Sequence, residues 1–243
     1  FLLAQKLPLI PIIVGNKKDA INIGFKTFLN NIMIIDDGFQ SLEIKKNCDI
    51  VLIDLSRKIS EYELLPFGLL REPLKNISRA HFIIFTKSNY DQGDANKIED
   101  LVNSQINFKK THIFKSRLIN DLQKYSFETQ QFTSKKNMQN KKLIGFCGIA
   151  KPLIFNKLVH TYCKKNTLIL NFADHYNYEN KDTLKIKNKL KEINSNTILT
   201  TMKDFYKIKD LFQGYSIYVI DIQHEIENLN SFKSLLLNKL LET

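Results

Sequence analysis

Apolar residues in this chain come in short, nearly unbroken runs separated by longer stretches with looser, helix-like spacing. In the first half the runs are Leu7 to Val14, Ile32 to Ile35, Ile50 to Leu55, His81 to Lys87 and His112 to Leu118. In the second half they are Leu143 to Ala150, Leu168 to Leu170, Thr197 to Thr201 and Tyr215 to Ile222. Most are rich in Ile, Leu, Val or Phe and too short for a helix, which predicts parallel strands buried on both faces. Between them, Lys17 to Asn30, Ile98 to Phe108, Leu153 to Cys163, a Lys-rich stretch running from Asp182 through Ile193, and Leu229 to Leu241 predict helices. Pro152 suits a first helical turn, and Asp182 reads as a cap. The alternation predicts an α/β protein. Residues 119–141 are polar and rich in Gln, Lys and Asn. That break divides the chain into a core domain at 1–118, a polar connection at 119–141 and a smaller α/β sub-domain at 142–243.

Candidate chemistry lies at the ends of the runs. Ile32 to Ile35 leads into Asp36-Asp37-Gly38-Phe39-Gln40. Ligands of open α/β sheets bind beyond the carboxyl ends of the strands. A carboxylate there can hold Mg²⁺, directly or through water, beside the phosphates of a nucleotide. Gly38 permits a sharp turn, and taken alone these residues also suit an ordinary Asp-Gly turn. A second candidate is the loop Leu65-Pro66-Phe67-Gly68-Leu69-Leu70-Arg71-Glu72-Pro73-Leu74, which has no clear period and runs into a short helix at Leu74. Long loops in compact domains are often functional. Arg71 can grip phosphate with two hydrogen bonds, or it can form with Glu72 a surface pair worth little.

Charge changes this picture only slightly. The net charge of +11 favours anionic partners. Yet the basic residues include only four arginines (Arg57, Arg71, Arg79, Arg117), and the lysines are scattered among many Asn and Ile. A basic nucleic-acid-binding α/β protein is the reading that charge alone supports. With no arginine cluster and no glycine–aromatic signature, no nucleic-acid partner is expected. Cys48, Cys147 and Cys163 are odd in number and have no CxxC spacing, which argues for reduced thiols rather than a zinc site or a disulfide framework. No apolar run is long enough to span a membrane. His81, His112, His160 and His224 have no chemical context and are read as structural.

Five segments, in this order, resemble the tetraacyldisaccharide 4′-kinases, the lipid A 4′-kinases of Gram-negative bacteria. They are Asp36-Asp37-Gly38-Phe39-Gln40, the Leu65 to Pro73 loop, Gly145-Phe146-Cys147-Gly148-Ile149-Ala150-Lys151-Pro152, Phe172-Ala173-Asp174-His175-Tyr176 and Thr200-Thr201-Met202-Lys203-Asp204. Each is weak alone, but together they are specific and cover nearly the whole chain. The resemblance implies a P-loop-kinase-like fold with a mostly parallel sheet flanked by helices. It implies transfer of the γ-phosphate of ATP, with Mg²⁺, to the 4′-hydroxyl of a lipid disaccharide 1-phosphate, by an enzyme in peripheral contact with the cytoplasmic face of the inner membrane. Asp36 and Asp37 are then the carboxylates that organise the metal, with Glu72 as a further metal-side carboxylate. Arg71, Glu72 and Gln40 become contacts to nucleotide or substrate. His175 lies near the reacting centre, orienting an acidic base that this chain lacks. The Lys203-Asp204 pair reads as a salt-linked turn or a nucleotide contact, with the turn favoured. The family's glycine-rich phosphate loop and the acidic segment ahead of Phe1 are absent, so an N-terminally truncated chain is expected. Ser41 stands where the family has His, and Met202 where it often has Glu. Another P-loop NTPase is the remaining alternative, although such a protein has no need of the Arg71 and His175 segments.

Overall fold

The computed structural model describes residues 2–29, 32–90, 93–138, 141–163 and 167–242. The helices are α1 (Leu2–Lys6), α2 (Lys17–Thr27), α3 (Ala95–Asn103), α4 (Pro152–Tyr162), α5 (Asn180–Glu192), α6 (Met202–Ile208) and α7 (Leu229–Leu241). The strands are β1 (Ile50–Asp54), β2 (Phe82–Thr86), β3 (His112–Ser126), β4 (Gln131–Lys135), β5 (Leu143–Cys147), β6 (Thr167–Asn171), β7 (Thr197–Thr201) and β8 (Ser216–Ile226). The α/β class and the mostly parallel pairing expected from the apolar runs are present. The chain forms two units. The first is Leu3–Leu118 with the stretch from His224 onward, and the second is Ile119–Gln223. The closing helix α7 therefore belongs to the first unit.

In the first unit β1, β2 and β3 run parallel, with Ile50 beside Phe82 and Phe82 beside His112. Every residue of β2 is buried, as a central parallel strand requires. One face packs Ile53, Ile83 and Phe85 against Ile98 and Val102 of α3. The other packs Phe82 and Ile84 against Phe232 of α7.

Two expected strands of this unit do not form. Leu7 to Val14 and Ile32 to Ile35 are irregular, and Leu9, Val14 and Ile34 are about nine-tenths exposed. A strand exists only through its neighbours, and among the described residues neither segment has a pairing partner. Their apolar, β-branched character marks a preference that nothing in the described chain satisfies. Asn30, at the end of an expected helix, lies outside the described residues.

In the second unit β8, β7, β5 and β6 run parallel in that order. The stretch read as a polar connection is mostly sheet as far as it is described. The second half of β3 and all of β4 form an antiparallel hairpin, with Leu122 and Tyr125 turned into the core. Asp182 is the third residue of α5 rather than its cap. Glu179 takes the cap position, and Asp182 Oδ2 accepts the Glu179 amide at 3.0 Å in a reciprocal capping box. From β5 the chain crosses first to β6 on one side and then to β7 on the other. The carboxyl end of β5 is therefore a topological switch point, where α/β sheets hold ligands.

Cys147 and Cys163 are buried in this unit. Burial pushes their thiols from the ordinary 9.0 up to about 12 and about 11. The unfolded chain releases these protons near pH 9 while the native chain keeps them, so this contribution to stability is complete below pH 9 and is lost as pH rises toward 12. The expected outcome is a falling thermal midpoint between pH 9 and 11. Both thiols should also resist a thiol reagent at pH 8 until the chain unfolds, which absorbance titration checks.

Candidate active site

The Asp36 to Gln40 segment forms a turn rather than the tip of a strand, and cations surround it. Asp37 has φ 50°, a left-handed conformation that Asp tolerates better than most residues. Its carboxylate accepts Arg71 Nη1 at 2.9 Å, and its carbonyl accepts Lys17 Nζ. Lys46 Nζ donates to the carbonyls of Gly38 (2.8 Å) and Phe39 (3.2 Å) while pairing with Asp49 at 3.0 Å. The Arg71 hydrogen bond holds the Asp37 carboxyl below the usual carboxylate range. Both side chains are more than half exposed, so the pair adds little stability; its interest is that it fixes a carboxylate and a guanidinium side by side. Asp36 and Gln40 are exposed on the same turn.

The long loop is ordered by its own backbone. The amides of Leu65, Leu69 and Leu70 donate to the carbonyls of Leu70, Glu61 and Glu63. A β-carbon at Gly68 would overlap the Glu63 backbone, so only glycine fits there. Glu72 is engaged on its own side of the loop. Its two oxygens each accept Arg79 Nη2 at 3.1 Å, and Oε2 also accepts Asn76 Nδ2 at 2.8 Å. The Arg79 guanidinium sits 4.5 Å from the centre of the Phe39 ring, so it links this loop to the Asp-Asp-Gly turn. Sequence reasoning missed Arg79. The signal was available in the spacing of Glu72, Asn76 and Arg79, which are four and three residues apart; Asn76 and Arg79 lie in the 3-10 run Leu74–Arg79, and Glu72 just before it.

The remaining motifs gather in the second unit, at the carboxyl ends of β5, β6 and β7. His175 has φ 57° and is 79% exposed, on the turn that follows β6. Asp174 Oδ1 accepts both the His175 amide (2.9 Å) and Lys203 Nζ (3.0 Å), and the Lys203 bond is the chief reason its carboxyl lies below the ordinary range. Lys207 Nζ donates to the Tyr176 carbonyl at 2.7 Å. Asp204 is fully buried; its Oδ2 accepts the Gly148 amide (2.9 Å) and the Thr201 hydroxyl (2.8 Å), and Thr201 Oγ1 in turn accepts the Asp204 amide. Burial, followed by the Asp204 charge, raises the Tyr178 phenol far above its usual range.

A β-carbon on Gly148 would lie 3.1 Å from Tyr176 Cβ and 3.2 Å from the Ala173 carbonyl. Gly148→Ala is therefore expected to cost about 1–3 kcal/mol as overpacking and to displace the His175 turn, measured by denaturant unfolding and by the amide spectrum of residues 173–176.

Among the described residues no group of three or more His, Cys, Asp or Glu side chains is assembled to hold a metal ion. Asp36, Asp37 and Glu72 thus do not form a preformed three-carboxylate site. Mg²⁺ seldom needs one, since it keeps waters and takes one or two carboxylates beside substrate phosphates. The hard oxygens of Asp36 and Asp37 fit that donor set, whereas both Glu72 oxygens are already engaged.

Residues 1–241 match the profile of the family described as tetraacyldisaccharide-1-P 4′-kinase. The curated tetraacyldisaccharide 4′-kinase of Bdellovibrio bacteriovorus is 29% identical over 217 residues, which is 89% of this chain and 62% of the relative. That of Halothermothrix orenii is 26% identical over 239 residues, covering 92% and 62%. The crystal structure of LpxK from Aquifex aeolicus in complex with ATP superposes with a TM-score of 0.62 at 21% identity, over 92% of this chain and 62% of that one. The chain thus spans a little over three-fifths of the length of the relatives it matches. With a family profile matched almost end to end, this chain belongs to the tetraacyldisaccharide-1-phosphate 4′-kinase family.

Proposed function

We propose that the protein carrying this chain transfers the γ-phosphate of ATP to the 4′-hydroxyl of a tetraacyldisaccharide 1-phosphate, a step of lipid A assembly. The family match supports the reaction, and the observation that carries the site is the Asp37–Arg71 pair on a left-handed turn. Phosphoryl transfer depends on positioning and charge neutralisation more than on covalent help. Arg71 is suited to a phosphate oxygen, because a planar guanidinium can engage phosphate and carboxylate at once. Asp36 and Asp37 would hold Mg²⁺, which when bound neutralises charge on the phosphates. Glu72, held by Arg79 and Asn76, is a positioned carboxylate at the edge of that site, and Gln40 is an exposed amide within the same turn. His175, whose backbone amide donates to Asp174, can hold or pass a proton at its ring nitrogens during activation of the acceptor hydroxyl.

Work at the cytoplasmic face of the inner membrane belongs to the same proposal, since the acceptor is a lipid. No helix among the described residues is long and apolar enough to cross a membrane. The function is tested with the full-length gene product that carries this chain, given ATP, Mg²⁺ and the detergent-dispersed disaccharide 1-phosphate. ADP release that depends on the acceptor is expected. ATP turnover at the same rate without acceptor would contradict the proposal and favour a different P-loop NTPase.

A further inference from the structure

The Thr200 to Asp204 segment has no part in the chemistry above, yet helix α6, which starts within it, bonds to both neighbouring motifs of the second unit. Three contacts leave this short helix. Lys203 Nζ reaches Asp174 Oδ1 (3.0 Å), Lys207 Nζ reaches the Tyr176 carbonyl (2.7 Å), and Asp204 Oδ2 reaches the Gly148 amide (2.9 Å). Lys203 and Lys207 are one helical turn apart, so they stand on one face and grip the turn on either side of His175. That turn needs holding. His175 sits at positive φ, a conformation L-residues disfavour, and its side chain is largely in solvent.

Asp174 is the pivot. One of its oxygens receives both Lys203 and the His175 amide, which closes the turn, while the other lies 3.8 Å from His175 Nε2. Without the Lys203 ammonium, the Asp174 carboxylate is free to rotate and both bonds loosen together. The Lys203 side chain is 30% exposed and that of Asp174 40%, so methionine, which keeps the length of the stem, removes the ammonium and leaves the Asp174 carboxylate in contact with water.

We propose that Lys203, assisted by Lys207, is a positioning residue that acts through Asp174 to fix the conformation in which His175 is presented. The inference rests on the proposed part of His175 in the reaction.

The test uses the full-length gene product with Lys203→Met, Lys203→Arg, Asp174→Asn, His175→Ala and the double variant Lys203→Met/His175→Ala. Expected for Lys203→Met are a kcat about 10²-fold lower, of the order of losses seen when a positioned group shifts by about an ångström, a KM for ATP within twofold and an unchanged thermal midpoint. Lys203→Arg should recover most of the activity, and Asp174→Asn should resemble Lys203→Met. Adding Lys203→Met to His175→Ala should cost nothing further. Hydrogen exchange at the His175 amide should be faster in Lys203→Met, a readout independent of activity. If His175→Ala abolishes turnover while Lys203→Met keeps wild-type kcat and wild-type exchange at that amide, the inference is overturned and the role of His175 stands. If His175→Ala is itself fully active, the role assigned to His175 falls, and the positioning claim falls with it.

Discussion

Asp37→Asn in the full-length gene product is expected to lower kcat by about 10²–10³-fold, the usual loss when one group aimed at transferred charge is removed. Asparagine is the informative replacement. It tolerates the left-handed φ of 50° that Asp37 adopts, and it can still accept a hydrogen bond from Arg71. What it loses is the negative charge. Alanine would add backbone strain of roughly 1–2 kcal/mol at positive φ and confuse the two effects. The thermal midpoint of Asp37→Asn should stay within 1–2 °C of wild type on the order of a surface change, since both partners are more than half exposed. Because Arg71 keeps this carboxyl ionised below the usual range, the acid limb of the wild-type pH–rate profile should not arise from Asp37. A variant with wild-type kcat would remove Asp37 from the site.

Asp204→Ala is expected to give the largest loss of stability. The side chain is fully buried, and its removal strands the Gly148 amide and the Thr201 hydroxyl, both inside the second unit. Leaving such groups unsatisfied costs about 2–4 kcal/mol. In a unit of this size that corresponds to a drop in thermal midpoint of roughly 10 °C or more. Thr201 Oγ1 caps α6 by accepting the Asp204 backbone amide, a bond the alanine variant keeps, but the carboxylate that orients this hydroxyl is lost. Asp204→Asn keeps a carbonyl oxygen for one of the two bonds and should cost less than half as much. Calorimetry of the two variants checks the order, and an Asp204→Ala midpoint within 2 °C of wild type would show that the network contributes nothing.

The parts of this fold that could be read from sequence are those in which local pattern and tertiary packing agree. β2, β5 and β7 are buried throughout, and their residues are apolar or the β-branched Thr apart from Gly145. Pro152 begins α4 as its fixed φ predicts. Leu7 to Val14 and Ile32 to Ile35 carry the same local signal, but strand formation is a property of pairs, and a single run cannot say whether its neighbour is present. The hairpin of β3 and β4 escaped notice for the opposite reason: its outer face is polar enough to pass for a connection.

In the candidate site, chemistry was easier to find than support. Asp36, Asp37, Arg71, Glu72 and His175 belong to motifs with a recognisable purpose. Lys46, Arg79, Lys203 and Asp204 hold those motifs in place, and three of them are ordinary surface-type residues whose partners lie seven to twenty-nine positions away. No local pattern reveals such partners. Lys203 and Asp204 read together as a salt-linked turn, but Lys203 pairs with Asp174 and Asp204 accepts the Gly148 amide 56 residues away.

The central claim is that the protein places phosphate on the 4′-position of a lipid disaccharide. The most direct measurement is ³¹P NMR of the product formed by the full-length gene product from ATP, Mg²⁺ and tetraacyldisaccharide 1-phosphate. One new monoester resonance, coupled to the proton at carbon 4′, with the 1-phosphate unchanged, is the predicted result. Transfer to another position, or no transfer by a folded protein that binds ATP, would contradict it.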